Sequence, residues 1–159
     1  MFVKKRLKWI PAIAIAGFAM LQLTNVARTN PPVVPGHDLF STNAPPPQIA
    51  AMLRGACYDC HSHETHWPWY GNVAPVSWWL DSHVRDARQE LNFSEWPHDN
   101  PQRAGKKWNR VADAVRDGDM PLPSYARVHK AARLTDEQRK QLADWAEQEA
   151  QRLEAAKQD

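Results

Sequence analysis

Apolar positions recur at helical spacing in four stretches of the chain. Residues 47–56 place Ile49, Met52, Leu53 and Ala56 on one face, with Pro47 suited to a first helical turn. Residues 75–91 align Val76, Trp79, Leu80, His83, Val84, Ala87 and Leu91. Residues 104–117 align Trp108, Val111, Ala112 and Val115, and Gly118 marks the stop. Residues 135–156 open on Thr135-x-x-Gln138, a capping box, and carry Leu142, Trp145, Ala146 and Leu153 as their apolar stripe. No segment alternates as a half-buried strand does. The predicted class is all-α, with long loops rich in Trp and Pro between short helices.

A different pattern precedes these helices. Trp9 to Leu21 is an uninterrupted apolar run of 13 residues, extending to 18 at Val26 with Gln22, Thr24 and Asn25 as polar intrusions. As a helix the longer run spans about 27 Å, just under the roughly 30 Å of a hydrocarbon core. It shows no polar face, unlike a core helix. Lys4, Lys5, Arg6 and Lys8 stand before it, which predicts a cytoplasmic N-terminus and an exported remainder. Small residues are misplaced for signal cleavage, so residues 1–28 read as an uncleaved single-pass anchor rather than a removed signal. Residues 29–47 hold six prolines and read as an extended linker. Residues 48–147 read as the folded domain and 148–159 as a polar tail.

Composition narrows the picture. The chain has 159 residues, room for one domain, and 20 basic against 18 acidic groups, a net charge of +2. Five of the basic groups (Lys4, Lys5, Arg6, Lys8, Arg28) fall within residues 1–28, which hold no acid. Taking those five from 20 leaves 15 basic and 18 acidic groups, a net of −3, for the exported part. That balance excludes the concentrated basic face of a nucleic-acid binder. The two cysteines are too few for a disulfide scaffold, and a single apolar run excludes a polytopic membrane protein.

Those cysteines form Cys57-Tyr58-Asp59-Cys60-His61. C-x-x-C-H is the attachment signature of c-type haem: two thiols at this spacing reach the vinyl groups on one edge of the ring, and the adjacent His61 lies under the iron as proximal ligand. Attachment of this kind takes place outside the cytoplasm, in agreement with the export pattern. Three other readings compete. A thioredoxin-like pair would need a strand context that the chain lacks. A zinc site would draw on Cys57, Cys60 and two of His61, His63 and His66, crowded within ten residues. A local disulfide is the third. The chain holds 8 tryptophans, and Trp67, Trp69, Trp78, Trp79, Trp96 and Trp108 are candidates to cover a porphyrin, with ordinary core packing as the alternative for each.

The group opposite His61 decides between an electron carrier and a gas-binding or peroxidase-like site. Met120 is the choice. It lies 59 residues beyond His61 in Gly118-Asp119-Met120-Pro121-Leu122-Pro123, a loop stiffened by prolines. Met52 belongs to the core face of the first exported helix. Among the histidines, His63 and His66 are too near His61, His83 sits on a helix core face, and His129 follows the Met loop. His37 and His98 read as solvated loop residues.

With these residues in view, the chain resembles the bacterial haem-binding domain family of small membrane-anchored proteins with one c-type haem. The stretches that carry the likeness are RTNPPV at 28–33, CYDCHS at 57–62, WPWY at 67–70, APVSW at 74–78, LNFSEW at 91–96 and MPLPSY at 120–125, spanning roughly residues 10–147. The resemblance implies a cytochrome c-like helical domain around one covalent haem, with Cys57 and Cys60 as thioether sites and His61 and Met120 as axial ligands. Taken with the basic N-terminus and apolar run, His61/Met120 ligation leads to the expectation of a one-electron carrier tethered to the bacterial inner membrane, its haem domain on the periplasmic side, with redox protein partners, an electron carrier in preference to an enzyme. A haem-based gas sensor or peroxidase is the alternative function, and a zinc-stabilised binding module a more distant one.

Overall fold

The computed structural model describes residues 9–24, 26–41 and 44–156. Among the described residues the protein is all-helical, without a strand. Seven α-helices follow one another among the described residues: α1 (Ile10–Leu21), α2 (Pro47–Ala56), α3 (Tyr58–His61), α4 (Val76–Glu90), α5 (Pro101–Arg116), α6 (Pro123–Val128) and α7 (Asp136–Ala155). Short 3₁₀ turns at Leu39–Ser41, Trp69–Asn72, Phe93–Glu95 and Lys130–Ala132 join them. The chain divides into two compact units, one of residues 1–29 and 67–83, the other of residues 30–66 and 84–159.

In the first unit the end of α1 is tied to the Trp-rich loop. The Gln22 amide donates to Ala74 O (3.2 Å) and accepts from Ala74 N (2.9 Å). Arg28 donates to Gly71 O at 3.1 Å, and the Trp78 indole to Thr24 Oγ1 at 3.2 Å. The spanning anchor expected over 1–28 does not emerge as a helix of that length. Helix α1 has 12 residues, about 18 Å, and among the described residues no helix is long and apolar enough to cross a membrane. Just after the last helical residue, the Gln22 side chain turns to the loop at Ala74. The basic residues 4–8 and Asn25 lie outside the described residues.

The second unit is built on α5 packed against α7. Helix α5 begins three residues before the apolar pattern suggests. The Asn100 side chain accepts from Arg103 N (2.9 Å) and Pro101 fills the first turn, where it costs no hydrogen bond. Ala104, Gly105, Trp108, Val111, Ala112 and Val115 form its buried stripe, and Gly118 ends it at φ +81°, a conformation open to glycine at little cost. Helix α7 carries the expected capping box: Gln138 N donates to Thr135 Oγ1 (3.2 Å) and Thr135 N to Gln138 Oε1 (2.9 Å). The stretch read as a polar tail is helical to Ala155, and its Ala150 is fully buried.

The core joins Leu39, Leu53, Phe93, Trp108 and Leu142, each at most 2% exposed. An aromatic series runs through it: Tyr58 stacks on Phe93 (5.1 Å between centroids), Phe93 meets Trp96 (5.9 Å), Trp96 meets Trp108 (4.7 Å) and Trp108 meets Trp145 edge-on (4.8 Å). Part of the stretch read as an extended linker packs in this unit. Leu39 is buried, Tyr58 OH donates to Asp38 Oδ2 (3.3 Å), and His98 Nε2 donates to Asp38 O (3.0 Å). The adjacent pair Leu39 and Phe40 packs on the core, but two neighbouring apolar residues amid prolines set up no helical or strand period.

Trp108→Ala removes the centre of the aromatic series. It is expected to destabilise the protein by about 3–5 kcal/mol in denaturant unfolding, whereas Thr135→Ala at the exposed cap of α7 is expected to cost about 1 kcal/mol.

Candidate haem site

Helix α2 leads directly into the cysteine motif. Cys57 closes α2 by donating its N–H to Leu53 O (2.9 Å), and its own carbonyl accepts from Cys60 N (3.2 Å) and His61 N (2.9 Å). Residues 57–61 thus form one further helical turn, α3, which Ser62 ends in extended conformation while its hydroxyl donates to Tyr58 O (2.7 Å). From α4, Arg88 braces the turn by donating to Ser62 O (2.8 Å) and Thr65 Oγ1 (2.9 Å).

The C-terminal end of α4 orients the imidazole of His61. Its Nδ1 lies 3.0 Å from Ala87 O and 3.1 Å from Leu91 O. Carbonyl oxygens only accept, so Nδ1 carries the proton and Nε2 holds the lone pair. Burial lowers the pKa of His61, against the opposing effect of these two backbone bonds, and the ring is the neutral donor that a metal requires.

Burial pushes the Cys57 thiol up to about 12, with a further contribution from Cys60, and pushes Cys60 up to about 11, with Asp59 adding to the effect. Both thiols are free, and neither has the lowered pKa of a redox-active pair.

An apolar pocket opens beside His61. Cys57, His61, Leu91, Phe93, Val111 and Met120 are among its walls, and Glu90, Lys107 and Arg110 give it a charged margin. Cys57, His61 and Met120, 63 residues apart at the extremes, therefore share one cavity. Met120 is held by its backbone: its N–H donates to Ala114 O (3.0 Å), and its carbonyl accepts from Arg139 Nη1 of α7 (2.8 Å). Lys107 Nζ donates to Glu90 O (2.8 Å), and Arg110 pairs with the Glu90 carboxylate (3.3 Å).

The remaining predicted residues lie elsewhere. Cys60 is half-buried on the same turn as Cys57 but is not on the pocket wall. Trp67 and Trp69 are in the other unit and do not line the pocket, and Trp69 is 78% exposed. Trp96 and Trp108 belong to the protein core, because their rings pack on each other and on Phe93. His63 donates from Nδ1 to Pro32 O (3.3 Å) and accepts at Nε2 from the Asn92 amide (2.9 Å), while His66 donates to Asp59 Oδ1 (3.0 Å). Their rings are thereby committed to the protein, and among the described residues no group of three or more His, Cys, Asp or Glu is placed to hold a metal ion. His83 donates to Trp79 O (2.8 Å), and His129 stacks on Tyr125 at 3.9 Å.

Sequence reasoning missed the partners that hold His61 and Met120. The carbonyls of Ala87 and Leu91, and the guanidinium of Arg139, act through positions with no motif of their own. The donor set itself, a neutral imidazole and a thioether on one apolar cavity beside two free thiols, fits a haem.

No curated protein and no solved structure matches the chain. The family model described as a haem-binding domain matches residues 16–148, which takes in the cysteine motif, the pocket and most of α7. The chain belongs to the haem-binding domain family.

Proposed function

We propose that the protein holds one haem covalently, as a c-type haem, and passes single electrons between protein partners. The observation that carries this reading is the shared apolar pocket of Cys57, His61 and Met120, with His61 Nε2 left as the acceptor of its ring. Cys57 and Cys60 would hold the haem through thioether bonds, and His61 Nε2 and Met120 Sδ would bind its iron. Haem bound in this way supplies a one-electron couple, which a thioether ligand shifts toward the reduced state.

The protein supplies position and dielectric. The carbonyls of Ala87 and Leu91 keep the His61 ring from rotating and raise its basicity. Leu91, Phe93 and Val111 keep water from the cavity. Backbone bonds on both sides of Met120 hold its side chain at the wall. No general base or nucleophile is required of the chain. A helix ahead of the cysteine motif and a late Met loop, with α7 packed back on α2, also match the layout of small cytochromes c.

We further propose a membrane tether. The side chains of α1 are exposed, Ile13 and Ile15 by 69% and 70%, and four basic residues precede the apolar run. A bacterial inner membrane would take up that run and leave the haem domain in the periplasm, where covalent attachment takes place and where a mildly acidic domain meets redox partners.

Expression with the cytochrome c maturation machinery tests the first proposal. Wild-type protein is expected to retain haem through denaturing electrophoresis, and Cys57→Ala/Cys60→Ala to lose it. Haem-free wild-type protein would overturn covalent attachment. In Met120→Ala the sulfur-to-ferric-iron charge-transfer band is expected to vanish and carbon monoxide to bind the reduced protein at least tenfold more tightly. An unchanged low-spin spectrum would assign the sixth position to a histidine instead.

A further inference from the structure

Asp59, between the two cysteines, is bonded to the far side of the Met loop. Tyr125 OH, on α6, donates to Asp59 Oδ2 at 2.6 Å. The other oxygen, Oδ1, accepts from His66 N (3.1 Å) and His66 Nδ1 (3.0 Å), so the carboxylate is oriented from two directions. The Asp59 side chain is 23% exposed, which leaves the bond partly shielded from competing water. Tyr125 in turn is stacked by His129, whose Nδ1 donates to Tyr125 O (3.1 Å).

Tyr125 stands five residues after Met120, across Pro121, Leu122 and Pro123. Two prolines in that span restrict its backbone, so a displacement at Met120 is passed on to Tyr125. On the other side, Met120 is bonded to Ala114 and Arg139. The loop is therefore fastened on both sides of the prolines. On one side it is held to the α5–α7 pair, and on the other, by Tyr125 to Asp59, to the cysteine turn itself.

We infer that Tyr125 and Asp59 are positioning residues that form a clamp between the Met120 loop and the haem-attachment turn, and so set how readily Met120 leaves the sixth position. The inference rests on Met120 as ligand. A thioether can be displaced by an external base only if its loop swings away, and swinging α6 outward breaks the Tyr125–Asp59 bond. Tyr125→Phe removes the hydroxyl and keeps the ring stacked by His129.

The test is an imidazole titration of full-length ferric holoprotein, followed at the sulfur-to-iron band, in wild type, Tyr125→Phe, Asp59→Asn and the double variant. Tyr125→Phe is expected to keep covalent haem and the band, yet to bind imidazole roughly tenfold or more tightly, the scale of one charge-assisted hydrogen bond. The double variant is expected to bind it no more tightly than the stronger single variant, because both remove one interaction. Unchanged imidazole affinity in Tyr125→Phe, with the band present in wild type, would overturn the clamp alone, and fully additive effects would do the same. A band missing from wild type, or kept in Met120→Ala, would overturn the ligand reading and the clamp with it. If Asp59→Asn fails to mature, Tyr125→Phe alone decides.

Discussion

The bond from His61 Nδ1 to the end of α4 is the constraint on which the site depends. A helix leaves its last carbonyls without intrahelical partners. Here Leu91 O, just past α4, meets the imidazole, Ala87 O takes it as a second donor besides Leu91 N, and Glu90 O meets Lys107 from α5. The end of α4 is thus satisfied by residues that themselves line the pocket. The same contacts settle the tautomer of His61 and direct its free nitrogen. A helix end that required polar partners and an imidazole that required an orienting acceptor answer each other.

The pocket is the edge of the core rather than a separate chamber. Phe93 is fully buried, stacks on Tyr58 of the cysteine motif and lines the cavity wall. Beyond it the indoles of Trp96, Trp108 and Trp145 continue the packing to α7. Broad rings therefore support the site from behind, while smaller aliphatic groups and Met120 face the cavity. Trp67, Trp69, Trp78 and Trp79 belong to the other unit, whose bonds join Gln22, Thr24 and Arg28 to residues 71–78.

Much of this was legible in the sequence. Periodicity identified α2, α4, α5 and α7, because burial of one face imposes its spacing on any helix, and the Thr135 box identified a terminus through a bond three residues long. Cys57-x-x-Cys60-His61 was legible as a motif because all its parts fall on one turn. Other features had no local mark. Leu39 and Phe40 are two adjacent apolar residues in a proline-rich stretch, without a period. The start of α5 depended on Asn100 as a cap rather than on apolar spacing. Tryptophan count could suggest a flat apolar ligand but could not say which rings face it.

The sequence by itself determined the helical class, the cysteine motif and the Met loop, since each is set by residues within a few positions of one another. Only the tertiary structure decided that Met120 shares a pocket with His61, that α4 supplies the acceptors for Nδ1, and that Tyr125 reaches Asp59 across 66 residues. Such pairings depend on how helices close over a common core. Local periodicity records which face of a helix is buried, and carries no information about the element that buries it.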